Sequence, residues 1–277
     1  MNKDHKTVAG FGDEWERFDQ SSLSEGEHRK IFEKYFRIFP WQILPENAQG
    51  FDMGCGSGRW AKLVASSVGT LHCIDPSSAI KVAKRNLAVH KNCVFHEAGV
   101  GDHVLPERSM DFGYSLGVLH HVPDTVQGIR DCVRMLKPGA PFLLYLYYAL
   151  DNRSFVYRAL WKTSDFLRLL ISRLPHGLRF IVSQLIAALV YWPLSRFAAL
   201  MELFGMSSEG ASALPLGFYR HLSFYTMRTD ALDRFGTRLE QRFTREQIQF
   251  MMESAGLTDI VFSDDSPYWC AVGMRRK

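Results

Sequence analysis

Cysteine is sparse and unpatterned in this chain of 277 residues. Cys55, Cys73, Cys93, Cys132 and Cys270 form no C-x-x-C pair and no metal-ligand spacing, and their number is odd. That excludes a disulfide framework and a cysteine-built metal site, and it points to reduced packing residues of a cytoplasmic protein. Charge of one sign is also scarce. Lys and Arg number 33 against 29 Asp and Glu, leaving +4, too little to argue for a nucleic-acid partner. The start, Asn2-Lys3-Asp4-His5, has no apolar signal core, so secretion is not expected. Internal repeats and low-complexity segments are missing as well. What the chain does have is 47% hydrophobic residues, enough for a full α/β core and an extra subdomain.

The most informative stretch is Phe51-Asp52-Met53-Gly54-Cys55-Gly56-Ser57-Gly58. It reads as a strand end feeding a glycine turn, with no Cβ atoms at alternate positions where a ligand must press on the backbone. Arg59 to Ala65 then carries apolar residues at helical spacing. Strand, turn and helix start together make a pocket for a nucleotide-like ligand at the carboxyl edge of a parallel sheet. A dinucleotide fingerprint, G-x-G-x-x-G, would place its last glycine one residue later, where Arg59 stands. The run fits D-x-G-x-G-x-G, with Asp52 an added acceptor.

Three further motifs follow in order. Thr70 to Asp75 is a second strand ending in a carboxylate, 21 residues after Gly54 and placed to accept from ribose hydroxyls. Pro76 follows it, and Ser77 opens a helix. A third strand leads to Gly99-Val100-Gly101-Asp102, where small residues let a base lie against the backbone. Asp111 to Leu116 is a fourth strand, followed by Leu119-His120-His121-Val122-Pro123-Asp124, a helix to Leu136, and Leu136-Lys137-Pro138-Gly139 before strand five.

These four motifs resemble the class I S-adenosylmethionine-dependent methyltransferases, over about residues 48–150 and 243–275. The resemblance implies an α/β, Rossmann-like, seven-stranded, mostly parallel sheet of order 3-2-1-4-5-7-6, flanked by helices, with the last strand antiparallel. It implies S-adenosylmethionine as cofactor, S-adenosylhomocysteine as product and no metal. The implied cofactor contacts are Asp52, Gly54, Gly56, Gly58, Asp75, Pro76, Gly99, Val100 and Leu116.

Four segments are expected. Residues 1–47 form a helical cap, in which Phe11, Trp15 and Phe18 share a helical face and Trp15 closes on the cofactor. Residues 48–150 form the binding core, and 243–277 complete it after a capping box at Thr244 and Gln247. Between them, 151–242 is a mainly helical insertion far longer than a plain connection. From Phe155 to Leu174 its apolar residues share one face, with Arg158, Lys162, Asp165 and Arg173 opposite. The apolar face is expected to pack on the core or on a second subunit, as in a homodimer. The competing reading is a lid that touches a membrane or a lipid-linked substrate, making the protein peripheral to a membrane's inner face. The charge-free run from Phe180 to Ser195 looks too short to span a bilayer, with Pro193 interrupting it.

Methyl transfer requires alignment, exclusion of water and, for a hydroxyl acceptor, a base. His121 is the first candidate and His120 the second, since imidazole titrates near neutral pH. Candidate acceptor contacts are Tyr147 after strand five and the cluster Tyr219, Arg220, Tyr225, Arg228 and Arg234. Asp230 and Asp233 compete for the arginines as surface pairs. The expected acceptor is a hydroxyl of a small, sugar or lipid-linked molecule. Carbon methylation of a quinone- or lipid-like acceptor and non-catalytic cofactor binding are the alternatives.

Overall fold

The computed structural model describes residues 2–277, the side chain of Val156 excepted. In chain order the helices and strands are α1 (His5–Arg17), α2 (Glu25–Phe36), β1 (Gln49–Met53), α3 (Ala61–Val64), β2 (Thr70–Ile74), α4 (Ala79–Asn86), β3 (Cys93–His96), β4 (Phe112–Leu116), α5 (Thr125–Met135) and β5 (Pro141–Tyr145). Then come α6 (Phe155–Ile171), α7 (His176–Ile186), α8 (Trp192–Leu203), α9 (Ser208–Ala213), α10 (Phe224–Gly236), α11 (Arg245–Ser254), β6 (Leu257–Phe262) and β7 (Cys270–Arg275).

The chain divides into two compact units. The α/β unit comprises residues 1–20, 29–151 and 239–277; the helical unit comprises 21–28 and 152–238. Residues 239–243 belong to the α/β unit, where Gln241 N–H donates to the carbonyl of His120 (3.0 Å), after β4, and Phe243 N–H to that of Tyr147 (2.9 Å), after β5.

In the α/β unit the sheet order is β3-β2-β1-β4-β5-β7-β6, as the sequence motifs imply. Strands β1 to β5 run parallel, and β7 is antiparallel to both β5 and β6. β4 is buried along its whole length, as a doubly covered strand requires. Phe51 and Phe142 contribute to one face of the core, and Phe112, Tyr114 and Leu143 to the other. Gly50 and Gly113 make room for these rings: a Cβ on Gly50 would lie 2.2 Å from the Phe112 ring. Parallel strands place all their carboxyl ends at one edge, and that edge carries the site.

The helical unit is organised on α10, whose Met227, Ala231 and Phe235 are buried with Ala187 and Tyr191. Two buried arginines hold the carboxyl end of α10. Arg168 donates to the carbonyl of Thr237 (3.0 Å) and Arg179 to that of Gly236 (3.0 Å). Cations at a helix C-terminus answer its exposed carbonyls and its dipole. α7, a π-helical turn (Ala187–Tyr191) and α8 form one unbroken helix of 28 residues. This corrects the expectation of a run interrupted at Pro193. The proline falls in the first turn of α8, directly after the π turn, whose wider winding relieves the clash of a proline ring with the carbonyl of the preceding turn. By length and composition this helix is long enough to cross a membrane. Of the α6 apolar face, Ile171 packs against the buried cluster of the helical unit, while Leu160, Leu167 and Leu170 are exposed.

Candidate active site

The glycine turn begins where β1 ends. The N–H groups of Gly54 and Cys55 both donate to the carbonyl of Ile74, tying the turn to β2. Gly54, Gly56 and Gly58 have φ of +81°, +53° and +79°, in the left-handed region. At Gly54 a Cβ would also lie 2.4 Å from Val118, and at Gly56 one would lie 2.9 Å from the Trp15 indole. The glycines are therefore required by both backbone conformation and space.

Two carboxylates flank the turn. Asp75 accepts from Gly56 N–H (2.9 Å) through one oxygen, and from the N–H (2.9 Å) and hydroxyl (2.6 Å) of Ser77 through the other. Burial raises its pKa, and the Ser77 and Gly56 bonds oppose the shift. Asp52 is fully buried, and its Oδ2 has no hydrogen-bond partner among the described residues; the same holds for the Ser57 hydroxyl. Burial pushes the Asp52 carboxyl well above the usual carboxylate range, Tyr114 opposes this, and the nearby Asp75 adds to it. Two desolvated carboxylates in one pocket favour a cation. S-adenosylmethionine carries an ammonium and a sulfonium, along with ribose hydroxyls that the remaining lone pairs of Asp75 can accept. The residues present fit that group.

The other expected cofactor contacts border the same edge. Pro76 follows Asp75, Leu116 ends β4, and Gly99 and Val100 are buried after β3. Gly99 N–H donates to Asp102 (2.8 Å), which is paired with Lys3. Burial opposes ionisation of Asp102, but the Lys3 and Gly99 bonds outweigh it and hold its pKa below the usual range.

α1 lies across this edge. Asp4 caps its first turn by accepting from Thr7 N–H (2.7 Å). Gly12 lets the helix approach α4 closely, since a Cβ there would stand 2.6 Å from the Ser78 hydroxyl. Asn2 exchanges hydrogen bonds with the backbone of Asp124, at the start of α5. Further along the helix, Trp15 covers Gly56, and the Phe11 ring lies 4.9 Å from that of His121.

The two histidines occupy a short helical turn after β4 and are both buried. His121 Nδ1 donates to the carbonyl of Leu239 (2.6 Å), which leaves the lone pair on Nε2. His120 has the opposite pattern. Its Nδ1 accepts, over a long 3.4 Å, from the N–H of Tyr147, so Nε2 carries the proton. That Nε2 is buried with no partner among the described residues. Burial, with His121 and Arg242 nearby, drives the His120 pKa well below the usual imidazole value, so the ring is neutral. Tyr147 stacks on His120 at 3.9 Å and meets Arg242 at 5.0 Å. Tyr148 turns the other way, toward Tyr268, as strand alternation demands.

Tyr219, Arg220, Tyr225, Arg228 and Arg234 all lie in the helical unit. Arg220, expected to hold a substrate, is a fastener there. Its five N–H donors go to Glu202 (2.7 and 3.2 Å), Ser208, Ser212 and the Gly217 carbonyl. Arg228 donates to Gln184 (2.5 Å), and Arg234 meets Asp165 at 3.4 Å beside the Trp161 ring. Tyr219 packs on Tyr191, and the carbonyl of Tyr225 accepts from the Thr229 hydroxyl within α10. Asp230 and Asp233, the surface partners expected for these arginines, are half-buried on α10.

Sequence reasoning missed Lys3, Thr7, Leu239 and Arg242. Leu239 acts through its carbonyl, and Thr7 accepts the Leu239 N–H (3.4 Å); neither role leaves a mark on residue type. Ser57 and Tyr114 had a signal: one stands between two glycines of the turn, the other on β4 opposite Asp52.

The sheet order, glycine turn and strand-end carboxylates together define a Rossmann-like α/β fold. Residues 51–144 match the methyltransferase domain family. The chain is 30% identical over 106 residues to a ubiquinone biosynthesis O-methyltransferase of Nitrosospira multiformis, covering 37% of this chain and 43% of that one. It is 27% identical over 131 residues to the 27-O-demethylrifamycin SV methyltransferase of Amycolatopsis mediterranei, covering 46% and 47%. The matched region thus spans less than half the length of these relatives. Among solved structures, an O-methyltransferase family protein from Burkholderia thailandensis shares the fold, with TM-score 0.56 and 13% identity over 95% of this chain and 59% of that one. YcgJ of Bacillus subtilis does so with TM-score 0.52 and 12% identity, over 92% and 100%.

Proposed function

We propose that this protein transfers a methyl group from S-adenosylmethionine to a hydroxyl oxygen of a small or lipid-linked acceptor, with His121 as general base. The observation that carries this reading is the opposed hydrogen bonding of two adjacent histidines. Leu239 fixes the His121 tautomer, so the lone pair on Nε2 can take a proton from an alcohol. His120 keeps an Nε2–H donor that suits the acceptor oxygen. S-adenosylmethionine supplies the electrophilic methyl group. Asp52 and Asp75 hold its cationic and ribose parts, and the glycine turn carries no side chain in its way.

α1 serves as the lid. Phe11 and Trp15 exclude water from the reacting atoms, and the Lys3–Asp102 pair and the Asn2 bonds hold the lid shut. Two relatives named as acting on oxygen support a hydroxyl acceptor. The test is label transfer from methyl-labelled S-adenosylmethionine to a panel of phenolic and lipid-linked alcohols, with the methylated atom located by NMR. Label on oxygen supports the reading. Label on carbon transfers the assignment to carbon methylation, and no release of S-adenosylhomocysteine with any acceptor supports cofactor binding alone.

A further inference from the structure

The helical unit leaves a long apolar surface uncovered. The 28-residue helix of α7, the π turn and α8 is about 42 Å long. One side packs inward, where Arg179, Ser183 and Ser195 are buried. The other exposes Ile181, Leu185, Leu189, Trp192, Phe197 and Leu200, each between 46 and 72% accessible. Between Gly177 and Met201 no described charged residue is exposed: Arg179 is buried, and the half-buried Arg196 donates to the carbonyls of Arg220 and Leu222. α6 joins α7 through residues 172–175 and also packs on α10. It exposes Leu160, Phe166 and Leu170 together with three cations, Arg158, Lys162 and Arg173.

The charge on this surface has one sign. From residue 152 to 203 no acidic side chain is exposed among the described residues. Asp165 is paired with Arg168 (2.7 Å) and Arg234, and Glu202 with Arg220 (2.7 Å). An apolar stripe flanked by unanswered cations matches a bilayer that carries anionic headgroups. A second copy of this chain matches less well, because it would bring the same cations to the seam with no acid to meet them. Crossing the bilayer is excluded for this packing, since one side of the helix buries an arginine and two serines against its own unit.

We propose that the helical unit docks in the plane of an anionic lipid bilayer, with the exposed side of α7–α8 in the headgroup–acyl boundary and Arg158, Lys162 and Arg173 against lipid phosphates. The inference is independent of the chemistry above. Its test is flotation of the full chain with vesicles of phosphatidylcholine and phosphatidylglycerol (3:1) and with phosphatidylcholine alone. The protein is expected to float with the anionic vesicles and at least fivefold less with the neutral ones. The double variant K162E/R173E should lose more than fivefold, each cation being worth about fivefold near an anionic surface. L185E/L189E should lose as much, with affinity for S-adenosylhomocysteine and melting temperature unchanged in both variants. Failure of the wild type to float, equal flotation with neutral vesicles, or full binding by either folded variant overturns the proposal. So does a dimer in light scattering that L185E/L189E converts to monomer.

Discussion

His120 and His121 share a residue type and a peptide bond, yet their partners give them different chemistry. The Leu239 carbonyl orients His121 as an acceptor at Nε2, while the Tyr147 N–H makes His120 a donor. Replacing His121 with Ala should lower turnover by about 100-fold or more, the range of a general base, and leave S-adenosylhomocysteine affinity unchanged by calorimetry. Near-normal turnover would remove His121 from that role. Asp52 makes a second prediction. Its folded pKa lies above its unfolded value near ~3.9, so its contribution to stability is intact below that pH and is lost as pH rises through the folded pKa. Asp75 has the same sign. Asp52→Asn should therefore raise the melting temperature of the ligand-free protein at neutral pH while weakening S-adenosylmethionine binding. A lower melting temperature at neutral pH would contradict this.

Among the elements, the sheet was legible because parallel strands buried on both faces read as short apolar runs closed by glycine, acid or proline. The carboxyl-edge motifs were legible because a strand-end turn constrains residue type. The helix of Phe11 and Trp15 could be read from its period, but its anchors could not. Lys3 to Asp102 spans 99 positions, and Leu239 meets both Thr7 and His121 through backbone atoms that any residue would supply. Trp15→Ala uncovers Gly56 and should weaken S-adenosylhomocysteine binding by about tenfold, or ~1.4 kcal/mol. An unchanged affinity would show that α1 does not close on the ligand.

For the whole molecule, the sequence marks an insertion but not its internal order. Arginine looks the same whether it faces a ligand or fastens a fold, and Arg168, Arg179 and Arg220 prove to be fasteners. Arg220, with the Ser208 and His221 bonds, holds Glu202 down to a pKa of about 2. Because that carboxylate is lowered, its stabilising contribution is present above the unfolded value near ~4.3 and disappears as pH falls toward about 2. Solvent screening keeps the effect small. Acid unfolding followed by helical circular dichroism should show a loss between pH 4.5 and 2 that Glu202→Gln diminishes; an identical acid profile would contradict the pairing.

The most direct test of the adenosyl site is calorimetric titration of S-adenosylhomocysteine into the wild type and into Asp75→Ala, with folding of both checked by circular dichroism. Saturable one-to-one binding to the wild type is expected, weakened at least tenfold in the variant through loss of charged hydrogen bonds. No saturable heat with the folded wild type, or equal affinity in Asp75→Ala, would contradict it.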